Sequence, residues 1–268
     1  MRNKRKHLVW VLGLALALGV SGVASAASQQ HLEASINKTK LPKKKFTKGV
    51  ALSVHTSTTG TAGVGPAPLL PAQTQTADIH FGKDLKFTSK GIPQCNQNDP
   101  AIQSGTTAQA IAACGEGGTA SGGEDSTVGD GTATAQTILA PPNDVVPVVV
   151  TAFNGLPQNG NPTIILHSRA ESLNNTTPLV GELQGTTLHV PVPQLASGIA
   201  TLTDFETTVE KKIKAKSGKK KKKPKNYVSA RCKSKSKTIE VTSDWTYYDG
   251  APPASADNET PIKCKPKK

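Results

Sequence analysis

The chain has 268 residues, a formal net charge of +13 and only 4% aromatic side chains, so any core must rest on Val, Ile, Leu and Ala. That length suits one large β domain or two small ones. The four cysteines include no C-x-x-C pair and have no His at ligand spacing, which excludes the usual zinc sites and favours structural disulfides.

Residues 1–26 carry the three parts of a secretory signal. Arg2, Lys4, Arg5 and Lys6 form a basic start, an apolar run follows from Leu8 to Val20, and Ala24-Ser25-Ala26 forms a small-residue exit. Counted with that exit, the uncharged stretch reaches the ~20 residues of a spanning helix; the strongly apolar part is shorter. The expectation is cleavage after Ala26, leaving a secreted or extracytoplasmic protein, associated with the cell envelope and without a stable membrane anchor. Residues 27–45 are polar and basic and read as a flexible leader, followed by one β domain over 46–268.

Within that domain Val50, Leu52 and Val54 alternate, as do the residues around Ile79 and Phe81, and this is the period of half-buried strands. Residues 106–114, TTAQAIAAC, form the one expected helix, with a Thr N-cap and a stop at Gly115. Residues 117–134 are Gly/Ser/Thr/Asp-rich and read as a loop. A continuous apolar run follows at 145–153, then strand-like segments at 163–169, 179–183 and 188–192, the last carrying Pro191, which points to a sheet edge. Further strands are expected over 202–213, 227–232 and 239–248, with Ile239, Val241, Trp245 and Tyr247 on one face. This pattern predicts an all-β fold, a β-sandwich or jelly-roll-like single domain with one short helix and a long basic loop. Of the three cysteine pairings, Cys95–Cys114 and Cys232–Cys264 close the shortest loops and are preferred.

Charge is divided sharply along the chain. Residues 91–210 hold one basic residue, Arg169, against eleven acidic ones, whereas residues 211–268 hold eighteen basic and five acidic ones. Ten of those lysines fall in residues 211–225, KKIKAKSGKKKKKPK. Lysines at this density repel one another and cannot pack, so the segment reads as a solvated loop between two strands.

Several stretches taken together, FGKDLKFTSKGIPQCN at 81–96, AQAIAACG at 108–115, FNG at 153–155, IILH at 164–167, YVSARC at 227–232 and TYYDG at 246–250, resemble a group of uncharacterised secreted proteins from soil actinobacteria. In that group a G-x-P-x-C element precedes an alanine-rich helix ending in Cys. The loop after the helix departs from the group's V-G-S-G stretch and reads GGTASGG at 117–123. The resemblance implies export and a shared β-rich fold, and it implies no activity.

Signatures of catalysis are weak. Residues 115–120 fit G-x-G-x-x-A, but a helix precedes them and a loop follows, the reverse of a dinucleotide site. No G-x-S-x-G, H-E-x-x-H or P-loop occurs. Asp78, His80, His167 and Arg169 could supply a base and its carboxylate, although strand alternation alone accounts for them as solvent-facing residues. The carboxylates of 125–130 lack the ligand spacing of an EF-hand, so neither a metal nor another cofactor is expected. Trp245, Tyr247 and Tyr248 would suit a sugar platform if exposed and a core face if not. The lysine run, Lys219, Lys220, Lys221, Lys222 and Lys223 above all, suits anionic wall polymers or lipid headgroups, each Lys contributing ~1 kcal/mol near an anionic membrane, and unspecific contact with nucleic acid. The sequence thus favours a non-enzymatic envelope or extracellular protein that binds anionic surfaces. A carbohydrate-binding module built on the aromatic cluster is the alternative, and a hydrolase using His80 or His167 comes third.

Overall fold

A computed structural model of the chain describes residues 29–47, 49–60, 70–139, 144–213, 225–233, 237–248, 255–257 and 259–267. Residues 1–26, expected to be a signal, and Lys219 to Lys223 lie outside these residues. The strands are β1 (Gln29–Ile36), β2 (Lys40–Pro42), β3 (Leu52–Thr59), β4 (Thr74–Phe81), β5 (Leu85–Phe87), β6 (Thr127–Thr137), β7 (Val145–Gln158), β8 (Asn161–Ala170), β9 (Asn175–Gln184) and β10 (Thr187–Pro191). They continue with β11 (Ala200–Val209), β12 (Lys212–Ile213), β13 (Lys225–Asn226), β14 (Val228–Ala230), β15 (Thr238–Tyr247), β16 (Ser255–Asp257), β17 (Glu259–Lys263) and β18 (Lys265–Lys267). Two short helices, α1 (Pro100–Gln103) and α2 (Thr107–Cys114), lie between β5 and β6.

The all-β expectation holds. Among the described residues twelve strands form one sheet in the order β16-β1-β3-β11-β6-β7-β8-β9-β10-β4-β15-β17. Its outermost strands, β16 and β17, are one residue apart in sequence, and β17 also touches β1. The sheet therefore curls until its two edges meet, a nearly closed barrel whose opposite walls share a core as the two layers of a sandwich do. Along β4, Ala77, Ile79 and Phe81 are buried and face inward, while Asp78 and His80 point outward. The same alternation places Ile239, Val241 and Tyr247 of β15 inside.

The structure corrects four expectations. The leader is not free, because residues 29–36 form β1, paired along its length with β3 and burying Gln30, Leu32 and Ala34. Residues 127–134, read as loop, belong to β6 between β11 and β7. A low-complexity strand fits there because β11 passes very close; a Cβ at Gly131 would lie 2.0 Å from the Glu206 carbonyl oxygen. Pro191 ends an inner strand, with β4 on one side; on the other side β9 pairs only as far as His189, so no ladder bond is asked of the Pro191 nitrogen. His167 and Arg169 are buried rather than solvent-facing.

Burial of that outer face follows from the helices. Asp99 caps α1 and Thr106 with Gln109 forms a capping box on α2, which fixes the two helices as a tight pair. They lie over β7 and β8, where Ile102, Ala110, Cys95 and Cys114 enclose Phe153 and Ile165 in a second core. Gly105, between the helices, has no room for a side chain, since a Cβ would lie 2.4 Å from the Ala101 carbonyl oxygen. Its own carbonyl accepts hydrogen bonds from His167 Nε2 at 3.2 Å and Thr176 Oγ1 at 2.8 Å. The Cys95–Cys114 disulfide, with Cα atoms 5.4 Å apart, ties α2 to a strap that hydrogen-bonds to β7.

Candidate functional site

The second disulfide, Cys232–Cys264, has its Cα atoms 5.9 Å apart and is buried at one end of the barrel. Several short strand pairs gather there: β2 with β18, β5 with β14, and β12 with β13. Backbone hydrogen bonds join them, from Cys232 to Pro42, from Lys265 to Thr39 and from Arg231 to Asp84. Leu41, Val50, Val228 and Ala230 fill the space beneath.

This end is strongly basic. The segment around β2 exposes Lys38, Lys40, Lys43, Lys44 and Lys45, and the β4–β5 region exposes Lys83, Lys86 and Lys90. Lys233, Lys237, Lys263, Lys265 and Lys267 are exposed beside them. Acid compensation is slight. The buried Asp84 carboxylate accepts from Arg231 Nε at 2.7 Å and from the Lys233 backbone at 3.1 Å, so it is spent on Arg231. Arg231 also lies over the Phe46 ring, 4.6 Å from its centroid, with Lys86 at 6.0 Å. The flanks of the lysine run rise from the same end, where Lys212 pairs with Asn226 and Ile213 with Lys225. Sequence reading found the run and missed the rest of this surface, because its lysines come from four separate stretches that only the topology unites.

The other singled-out residues are dispersed. Trp245 is partly buried against the barrel core, and Tyr247 is buried with its hydroxyl 3.3 Å from Gln30 Oε1. Tyr248 is exposed, its hydroxyl donating to the Val192 carbonyl at 2.9 Å. With Trp245 and Tyr247 turned inward, these three rings present no common outer platform. His80 stands on the outer face, its Nδ1 2.8 Å from Thr187 Oγ1 and its Nε2 2.9 Å from Asp244 Oδ2. Hydroxyl, imidazole and carboxylate thus stand in a row, but the Asp244 side chain is 78% exposed and water reaches the site freely. Asp78 turns instead to His189, at 2.7 Å.

His167 lies on β8, separated from β4 by β9 and β10 and covered by the helices, so no cleft joins it to His80. Burial holds its pKa below the usual imidazole value, and its Nδ1 has no hydrogen-bond partner. Arg169 is occupied by Glu171, Asn174 and Thr176. Asp125 is bonded to Lys211 and to the Thr127 backbone, and among the described residues no group of three or more His, Cys, Asp or Glu side chains is arranged to hold a metal. No described helix is long and apolar enough to cross a membrane. Both disulfides fit an oxidising, extracytoplasmic environment. Searches against protein-family models, curated proteins and solved structures give no match.

Proposed function

We propose that the protein is an exported, non-enzymatic binder of anionic envelope surfaces, engaging wall polymers or lipid headgroups through the basic end of its barrel. The observation that carries this reading is the gathering of exposed lysines from residues 38–45, 83–90, 233–237 and 263–267 around the β12–β13 pair that flanks the lysine run. Asp84, buried at this end, is already paired with Arg231, and Glu240 is exposed beside Gly82, so lysines well outnumber the carboxylates and leave a net positive charge facing an external polyanion. Long-range attraction of this kind acts over a Debye length, about 8 Å at physiological salt, and needs no shaped pocket. Nucleic acid would be held unspecifically by the same charges.

Fractionation of cells expressing the full chain tests both halves of the proposal. The exported protein is expected to begin at Ala27 by intact mass, to sediment with the envelope at low salt and to be released by high salt. Recovery of the protein in the cytoplasm with residues 1–26 attached would overturn export. Recovery in the medium at low salt would overturn envelope binding.

A further inference from the structure

The barrel encloses a cavity that the basic end does not use. Leu52 and Phe205, on β3 and β11, face Ile79, Leu179 and Leu188 from the opposite wall, and Trp245 closes one side. These strands are far apart in the sheet order, so the space between them is the barrel lumen. Its volume is about 130 Å³. An apolar cavity of roughly that size stays dry and takes up small hydrocarbons.

The lining is selective. No Lys, Arg or His side chain lines the lumen among the described residues, and the Asp204 carboxylate beside it is held by His55 Nε2 at 2.7 Å. An anionic headgroup would therefore be buried without a counter-ion, which is strongly unfavourable. One end offers a neutral alternative. A small annex lined by Gln73 shares Thr74, Val192 and Leu202 with the lumen wall. Gln73 Nε2 donates to the Gly198 carbonyl at 2.8 Å, while its Oε1 is buried with no partner, an acceptor lacking a donor.

We propose that the lumen is a binding site for a small, slender, neutral aliphatic molecule bearing a hydrogen-bond donor, of which a straight-chain alcohol is the simplest case. The hydrocarbon body replaces empty space against Leu, Ile, Val and Trp245, and the hydroxyl donates to Gln73 Oε1.

The test is titration of the full exported protein with 1-hexanol, 1-octanol and octanoate, read by the emission of Trp245, the one tryptophan besides Trp10 of the export segment. The alcohols are expected to shift the emission, with affinity rising roughly fourfold per added methylene and octanoate binding at least tenfold more weakly than 1-octanol. Ala77→Phe, which fills the lumen beside Trp245, should abolish the shift while thermal melting shows a folded protein; Leu166→Phe is the second blocking variant. Gln73→Leu should weaken 1-octanol several-fold. An unchanged emission across the alcohol series, octanoate binding as tightly as 1-octanol, or full 1-octanol affinity in a folded blocking variant would each overturn the proposal.

Discussion

Replacing Cys232 and Cys264 together by Ala separates what holds the basic end together from what charges it. The bridge spans a sequence separation of 32 residues and joins the segment after β14 to the segment after β17. In the chain-entropy model a loop of that size constrains the unfolded chain by ~3.7 kcal/mol, against ~3.3 kcal/mol for the 19-residue separation of Cys95 and Cys114. For a domain of this size the loss corresponds to a fall in Tm of roughly 7–15 °C. Buried packing around Cys232 and Cys264, both in contact with the main core, adds to that figure rather than offsetting it. Every lysine remains, so the folded variant at low temperature should keep the salt dependence of the parent on an anionic surface. Thermal unfolding by circular dichroism gives the first quantity and co-sedimentation the second. A Tm loss under about 3 °C would refute the stabilising role argued for this bridge.

Three further outcomes follow from the packing. Phe153→Ala empties the centre of the helix–sheet core, where the ring is fully buried, and should cost ~3–5 kcal/mol by urea unfolding. Arg231→Ala leaves the buried Asp84 carboxylate without its cation and should cost ~3 kcal/mol, a loss that Arg231→Lys only partly avoids. His167 is held neutral by burial, with a folded pKa below the unfolded value of 6.5. The unfolded chain thus binds more protons below pH 6.5, and stability should fall as the pH drops from 6.5 towards the folded pKa. His167→Gln should flatten that part of the pH profile.

Much of the barrel was legible in local sequence. Alternation around Ile79 and over Ile239, Val241 and Tyr247 identified inward faces correctly, and loop closure identified both disulfides. Residues 164–166 are consecutive apolar residues without alternation, a hint of a strand buried on both faces, but the polar Thr163, His167, Ser168 and Arg169 around them masked it; expecting His167 and Arg169 to meet solvent overlooked that the helix pair needs a floor. β1 was missed because an inward position is filled by Gln30, whose polarity is satisfied by Thr58 at 2.6 Å across the strand pair. β6 was missed because Gly129 and Gly131 answer to the closeness of β11 rather than to hydrophobicity. The basic end was invisible for a different reason. Lys43, Lys86, Lys237 and Lys265 are distant in sequence, and they meet only because β2 pairs with β18 and β5 with β14.

Binding to anionic surfaces would depend on charge, and one measurement addresses it directly: retention of the purified protein on anionic wall polymer and on anionic vesicles across a salt series. The parent protein is compared with a variant in which a short Gly/Ser loop replaces residues 214–224 and with Lys43→Gln, Lys44→Gln, Lys45→Gln. Strong retention at low salt that weakens steeply toward physiological salt is expected. Both variants should be retained less and lose salt sensitivity in proportion to the charge removed, with their melting temperatures nearly unchanged. Equal and salt-insensitive retention of all three proteins would contradict it.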